Sequence, residues 1–220
     1  RLVKLNASGV QQWVRGQAGV YGSDNDHFGS WWGGIEGDMA IDSSGRVYVT
    51  DTGGQRIQVF NANGSHYMSF GSYGSGNNQF ECPSGIAISP INGDIYVADH
   101  CLHRVQVYNS NWVYKGTFGE TGVIGSDNAH FNDPWGIAVD NAGNVLVADA
   151  YNYRIQKCTL SPKSCTTFLG ETGVYGDDFD HLAHPLGLAV DSAGRVYVAD
   201  EWNSRVQVFD ASGAYLTTIA

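Results

Sequence analysis

Hydrophobic positions along the chain alternate with polar ones in short runs, never at the three-to-four spacing of an amphipathic helix. Pro185 to Phe209, PLGLAVDSAGRVYVADEWNSRVQVF, holds three such runs, LGLAV, RVYVAD and RVQVF. A turn at Asp191 to Gly194 and a polar corner at Glu201 to Ser204 separate them. β-Branched and aromatic residues alternating between clusters of Asp, Ser, Asn and Gly predict half-buried strands joined by tight turns. The unit returns at Pro134 to Cys158, at Pro83 to Tyr108 and, without its proline, at Gly37 to Phe60. In each, an Asp precedes an Arg by five positions, and Arg56, Arg104, Arg154 and Arg205 stand 48, 50 and 51 residues apart. A period of about 50 residues with short strands throughout predicts an all-β fold, a β-propeller with one four-stranded blade per repeat.

The runs P-x-G-I-A-V-D, G-x-V-Y-V-A-D and N-x-R-I-Q-V-F resemble NHL repeats over nearly the whole chain. The resemblance implies that G-I-A-V is strand a at the propeller axis, V-Y-V-A-D strand b, R-V-Q-V-F strand c, and a run such as Tyr215 to Ile219 the outer strand d. RLVKL at 1–5 aligns with RVQVF at 205–209, so residues 1–14 form a half blade of strands c and d. Full blades follow at 15–70, 71–118, 119–169 and 170–220 in a single domain, about four and a half blades. A chain that opens on strand c and ends on strand d is out of phase for closing a ring. A larger propeller, of which this chain starting at Arg1 is a trimmed piece, or completion by other copies at the open strand edges is therefore expected.

Composition narrows the partners. The net charge is −10, from 22 acidic and 12 basic residues. Some NHL propellers bind RNA through a basic face, and this balance excludes nucleic acid. No apolar run is long enough to span a bilayer, so no membrane insertion is expected. Cys158 and Cys165 flank the turn between strands c and d of one blade. Cys82 precedes strand a of another blade, whose b-to-c corner carries Cys101. The expected disulfides are Cys82–Cys101 and Cys158–Cys165, with free thiols or a zinc site as the alternative. With the glycosylation sequons at Asn6 and Asn63, both in c-to-d turns, they point to a secreted, extracellular glycoprotein.

The loops that enter strand a repeat as GVYGSDNDHF (19–28), GVIGSDNAHF (122–131) and GVYGDDFDHL (173–182), with GSGNNQF (74–80) in the remaining blade. Asp24, Asp26, Asp127, Asp177, Asp178 and Asp180 are oxygen donors of the kind calcium takes, but no bidentate Glu completes a calcium loop. Gln79 stands where His27, His130 and His181 stand in the others, which points to a loop-capping hydrogen bond. No cofactor is expected, with calcium the secondary alternative. The pairs Asp51–Arg56, Asp99–Arg104, Asp149–Arg154 and Asp200–Arg205 occur in every blade, whereas a catalytic centre is unique, so they are expected to be structural.

The resemblance also implies a test for enzymes, since metal-dependent propeller lyases and lactonases converge His or carboxylates on the axis at the start of strand a. Here Ile35, Cys82, Asp133 and His184 occupy the positions before the proline, and no G-x-S-x-G elbow exists. What varies on the fixed frame is the b-to-c corners and the loop with the Trp pair. Trp31, Trp32, His100, Trp135, Tyr151, Tyr153 and Trp202 thus form a candidate binding face for a protein or glycan. The expectation is a non-catalytic extracellular interaction or assembly module, even a filament or surface-layer subunit built from copies of itself. A fragment of a metal-dependent propeller lyase or lactonase is the alternative.

Overall fold

A computed structural model describes residues 1–17, 19–29 and 37–219. The described residues form one two-stranded and four four-stranded antiparallel sheets. The half blade is β1 (Leu2–Leu5) and β2 (Gln11–Arg15). The first full blade is β3 (Met39–Ile41), β4 (Val47–Asp51), β5 (Arg56–Phe60) and β6 (His66–Phe70). The second is β7 (Pro83–Ile88), β8 (Ile95–Asp99), β9 (Arg104–Tyr108) and β10 (Tyr114–Phe118). The third is β11 (Pro134–Val139), β12 (Val145–Asp149), β13 (Arg154–Leu160) and β14 (Lys163–Leu169). The fourth is β15 (Pro185–Val190), β16 (Val196–Asp200), β17 (Arg205–Phe209) and β18 (Tyr215–Ile219). Each blade is a simple meander, a to b to c to d, and the sheets stand side by side without closing into a ring.

Apolar clusters form between successive blades. Val105, Val107 and Phe118 of the second blade pack on Phe131, Ile137 and Val147 of the third. Ile155 and Leu169 of the third pack on Leu182, Val198 and Phe209 of the fourth. Alternation of the strand residues sends one set of side chains to each face, so a blade is covered only by its neighbours. At the inner edge the strands nearly touch. A Cβ added at Gly85 or Gly136 would lie 2.1 Å from the carbonyl oxygen of Trp135 or Leu186, so glycine is required there.

Strands b and c turn through one-turn 3-10 helices, and the Asp and Arg of the repeat face each other at that corner: Asp51 opposite Arg56, Asp99 opposite Arg104, Asp149 opposite Arg154, Asp200 opposite Arg205. Their ion pairs measure 2.8, 3.3, 2.8 and 2.8 Å in that order. In the third blade the buried Asp149 also accepts from the Asn132 N–H at 2.7 Å, and Arg154 donates to the Asp127 carbonyl at 2.7 Å. The equivalent backbone N–H groups of Gly29, Glu81 and Ala183 donate to Asp51, Asp99 and Asp200. The clamp therefore fixes the loop that delivers the chain to strand a, and with it every axial residue. Cys158 and Cys165 are direct cross-strand partners and are bridged, as are Cys82 and Cys101. No helix among the described residues is long and apolar enough to cross a membrane.

Candidate functional site

The inner strands border an open-mouthed cavity of about 240 Å³ lined by Asp38, Ser84, Trp135, Leu186, Leu188 and four glycines. Asp38 stands where the later blades have the glycine after P-x, so among the described residues it alone brings a carboxyl to this ring of backbone. That carboxyl accepts the N–H of Met39 at 2.7 Å and of Ile86, in the next blade, at 3.2 Å. Burial outweighs both bonds and raises its pKa above the ordinary carboxylate range. The Ser84 hydroxyl donates to the Pro134 carbonyl at 3.2 Å. A cavity with apolar walls and one perturbed carboxyl is the arrangement of a small acid–base site.

This ring does not fit a metal ion, because among the described residues one carboxyl and one hydroxyl supply too few donors and no imidazole lines it. Among the described residues, the only cluster of three metal-type donors is Cys82, His100 and Cys101, and both sulfurs are spent in the disulfide.

A second constellation lies where the b-to-c corners meet the loops entering strand a. Asp133 and His184, the residues before Pro134 and Pro185, adopt left-handed backbone with φ of 61° and 59°. His100 donates from Nδ1 to Asp133 at 2.9 Å, and Trp135 from Nε1 at 2.9 Å. Burial pushes the Asp133 carboxyl up, but these donors prevail and hold it below the ordinary range. His100 also stacks on Trp135, with centroids 4.5 Å apart. At the next blade junction His184 donates from Nδ1 to Glu201 at 2.7 Å and lies flat on Trp202, 4.6 Å between centroids and 10° between planes. Tyr151 meets the same imidazole edge-on at 4.9 Å.

The candidate binding face thus divides into two clusters at successive blade junctions, His100 with Trp135 and Tyr151 with Tyr153 and Trp202. Trp31 and Trp32 lie outside the described residues. In the entry loops, His27, His130 and His181 donate to Asp24, Asp127 and Asp178 at 2.8, 2.7 and 2.8 Å. Gln79 instead accepts the Gly76 N–H at 3.0 Å. Asp26, Asp177 and Asp180 flank these turns and join no three-donor cluster among the described residues. Asn6 and Asn63 are exposed, each with its Oδ1 accepting backbone N–H groups of its own turn. Sequence reasoning missed Asp38, because the first blade lacks the proline that marks the register. It also missed Glu201 as the partner of His184, although both vary at fixed positions of the repeat.

The NHL repeat pattern matches residues 37–60, 80–108, 131–158 and 182–209. A probable peptidyl-alpha-hydroxyglycine alpha-amidating lyase of Caenorhabditis elegans is 34% identical over 90 residues, 40% of this chain and 26% of that protein. NHL repeat-containing protein 2 of Gallus gallus is 34% identical over 99 residues, 42% of this chain and 14% of that protein. The chain thus spans about a quarter or less of the length of these relatives. Virginiamycin B lyase from Staphylococcus aureus superimposes with a TM-score of 0.58 at 14% identity, over 81% of this chain and 53% of that one, a likeness of fold alone. The match to an amidating lyase overturns the expectation of a non-catalytic assembly module. That expectation rested on the residues before the proline, Ile35, Cys82, Asp133 and His184, read as no ligand ring, and on the out-of-phase strands at the two ends of the sequence.

Proposed function

We propose, from the premise that this chain belongs to the NHL-repeat β-propellers, that it provides the frame of a lyase that cleaves the C–N bond of an N-acyl α-hydroxyglycine. The similarity to the amidating lyase carries this proposal. In such a substrate the hydroxyl loses its proton, the carbon–oxygen double bond forms as the C–N bond breaks, and the departing nitrogen gains a proton. The products are a primary amide and glyoxylate. One group able to take a proton and return it meets both needs. Asp38 is that group: its carboxyl is desolvated, lines the axial cavity and is held in place by two backbone N–H groups. Trp135, Leu186 and Leu188 line a space of about 240 Å³, ample for the two-carbon end of the substrate. Among the described residues the axial ring lacks a metal's donor set, and the proton steps assigned to Asp38 involve none.

Two disulfides and the exposed sequons at Asn6 and Asn63 support an extracellular, glycosylated setting. An Asp38→Asn variant tests the site. The expected result is a loss of kcat of about 10²–10⁴-fold with little change in KM, the range of a missing acid–base group. Unchanged turnover would remove Asp38 from the chemistry.

A further inference from the structure

The junction of the third and fourth blades carries features that neither the clamp nor the axial cavity uses. His184 is 8% exposed, and its Nε2 has no hydrogen-bond partner. Glu201 accepts from Nδ1 at 2.7 Å, so in the neutral form of the ring that nitrogen holds the proton and Nε2 is a lone pair without a donor. Orphaned buried acceptors are rare and mark a missing partner. The rings enclosing the imidazole are themselves half open to solvent, Trp202 at 54% and Tyr151 at 46%. Tyr153 adjoins Trp202 at 6.1 Å and Tyr175 adjoins Tyr153 at 5.8 Å, with interplanar angles of 55° and 60°. Glu201, 51% exposed at its side chain, sits at the edge of this surface.

We propose that this corner binds an organic cation of the guanidinium or ammonium type, as presented by an arginine or lysine side chain of a peptide. The site offers a carboxylate, an imidazole lone pair and the faces of inclined aromatic rings, and none of its charged groups is positive. A cation rich in N–H donors meets all three, through a charge-assisted hydrogen bond to Glu201, the missing donor for Nε2, and a face of Trp202. The Arg205 guanidinium of the same blade is engaged by Asp200 and by the Asp177, Asp178 and His181 carbonyls. The chain's net charge of −10 favours the same ligand. A neutral pyranose stacks on Trp202 equally well but leaves the carboxylate without a counter-charge.

The inference does not depend on lyase activity, because binding is measured without turnover. Calorimetric titration of the full chain with N-acetyl-arginine amide, its neutral isostere N-acetyl-citrulline amide and methyl glucoside decides it. The arginine compound is expected to bind at least tenfold more tightly than the other two and more weakly as salt is raised. Trp202→Ala and Glu201→Gln, both at exposed positions that leave the core intact, are each expected to weaken it at least tenfold. The ¹⁵N resonance of His184 Nε2 should move on binding. Equal binding of the citrulline compound, preferred binding of the glucoside, no binding at millimolar concentration, or an unaffected Trp202→Ala variant would each overturn the proposal.

Discussion

Replacing Arg154 by Met isolates what the Asp–Arg clamp contributes, because Met keeps much of the side-chain volume and removes the charge. Arg154 is 1% exposed and Asp149 wholly buried. The guanidinium donates to Asp149 at 2.8 Å, to Thr172 at 2.9 Å and to the Asp127 carbonyl at 2.7 Å. After substitution Asp149 keeps donors from Asn132, Asn152 and Gln156 but loses its only counter-charge. Breaking one side of a buried pair costs about 3–5 kcal/mol. The exposed pair Arg195–Asp191 serves as the control. Arg195 is 52% exposed, and removing its charge should cost under about 1 kcal/mol. Urea unfolding of Arg154→Met and Arg195→Met measures the difference, with a far lower midpoint for the first at similar m-value. Equal midpoints for the two variants would refute the clamp as the element that holds the loops to the blades.

Three further outcomes follow from the same geometry. The pKa of His130 is raised mainly by Asp127 and that of His181 mainly by Asp178. The loop stability these pairs add is therefore full below the ordinary histidine value of 6.5 and is lost as pH rises through the elevated one. Asp127 and Asp178 are lowered by the same bonds, so stability is also lost at acid pH, below the ordinary value of 3.8. Hydrogen exchange corrected for intrinsic rate should accelerate above neutrality in residues 122–131 and 173–182 but not in 74–80, where Gln79 replaces the imidazole; identical behaviour of all three loops would contradict this. Replacing Cys82 and Cys101 together by Ser should lower stability by about 3 kcal/mol, the chain-entropy value for a loop with a sequence separation of 19, read as a drop in the denaturation midpoint. Gly136→Ala should disrupt the inner edge, because its Cβ meets the Leu186 carbonyl at 2.1 Å; an unchanged melting temperature would show that the inner strands can part.

Most of the fold was legible because its determinants are local. Period-two alternation, the Asp–Ser–Ala–Gly type of turn and the Asp–Arg spacing lie within single repeats, and the b-to-c registers fall where that spacing puts them. The half blade was legible too, since RLVKL aligns with RVQVF and pairs as β1 with β2. The site was harder because it is made of contacts between repeats. His184 meets Glu201 across 17 residues and Tyr151 from the preceding blade, and Asp38 reaches Ile86 in the following blade. The strongest signal, the repeated ion pair, belongs to the scaffold. The positions with chemical potential are those that break the repeat, and a break has no pattern by which to be recognised. In the acidic loops, whose carboxylates are of the type calcium takes, Asp24, Asp127 and Asp178 are each engaged by a histidine three residues on.

The central claim is that this frame supports C–N cleavage at an α-hydroxylated carbon. Its most direct test is to incubate the wild-type chain with a benzoyl α-hydroxyglycine labelled with ¹³C at the carbinol carbon and follow that carbon by NMR. Enzyme-dependent conversion of the carbinol signal to that of glyoxylate, with one equivalent of benzamide released, is the expected result. A carbinol signal that decays no faster than in buffer, while the folded chain persists, would contradict the claim.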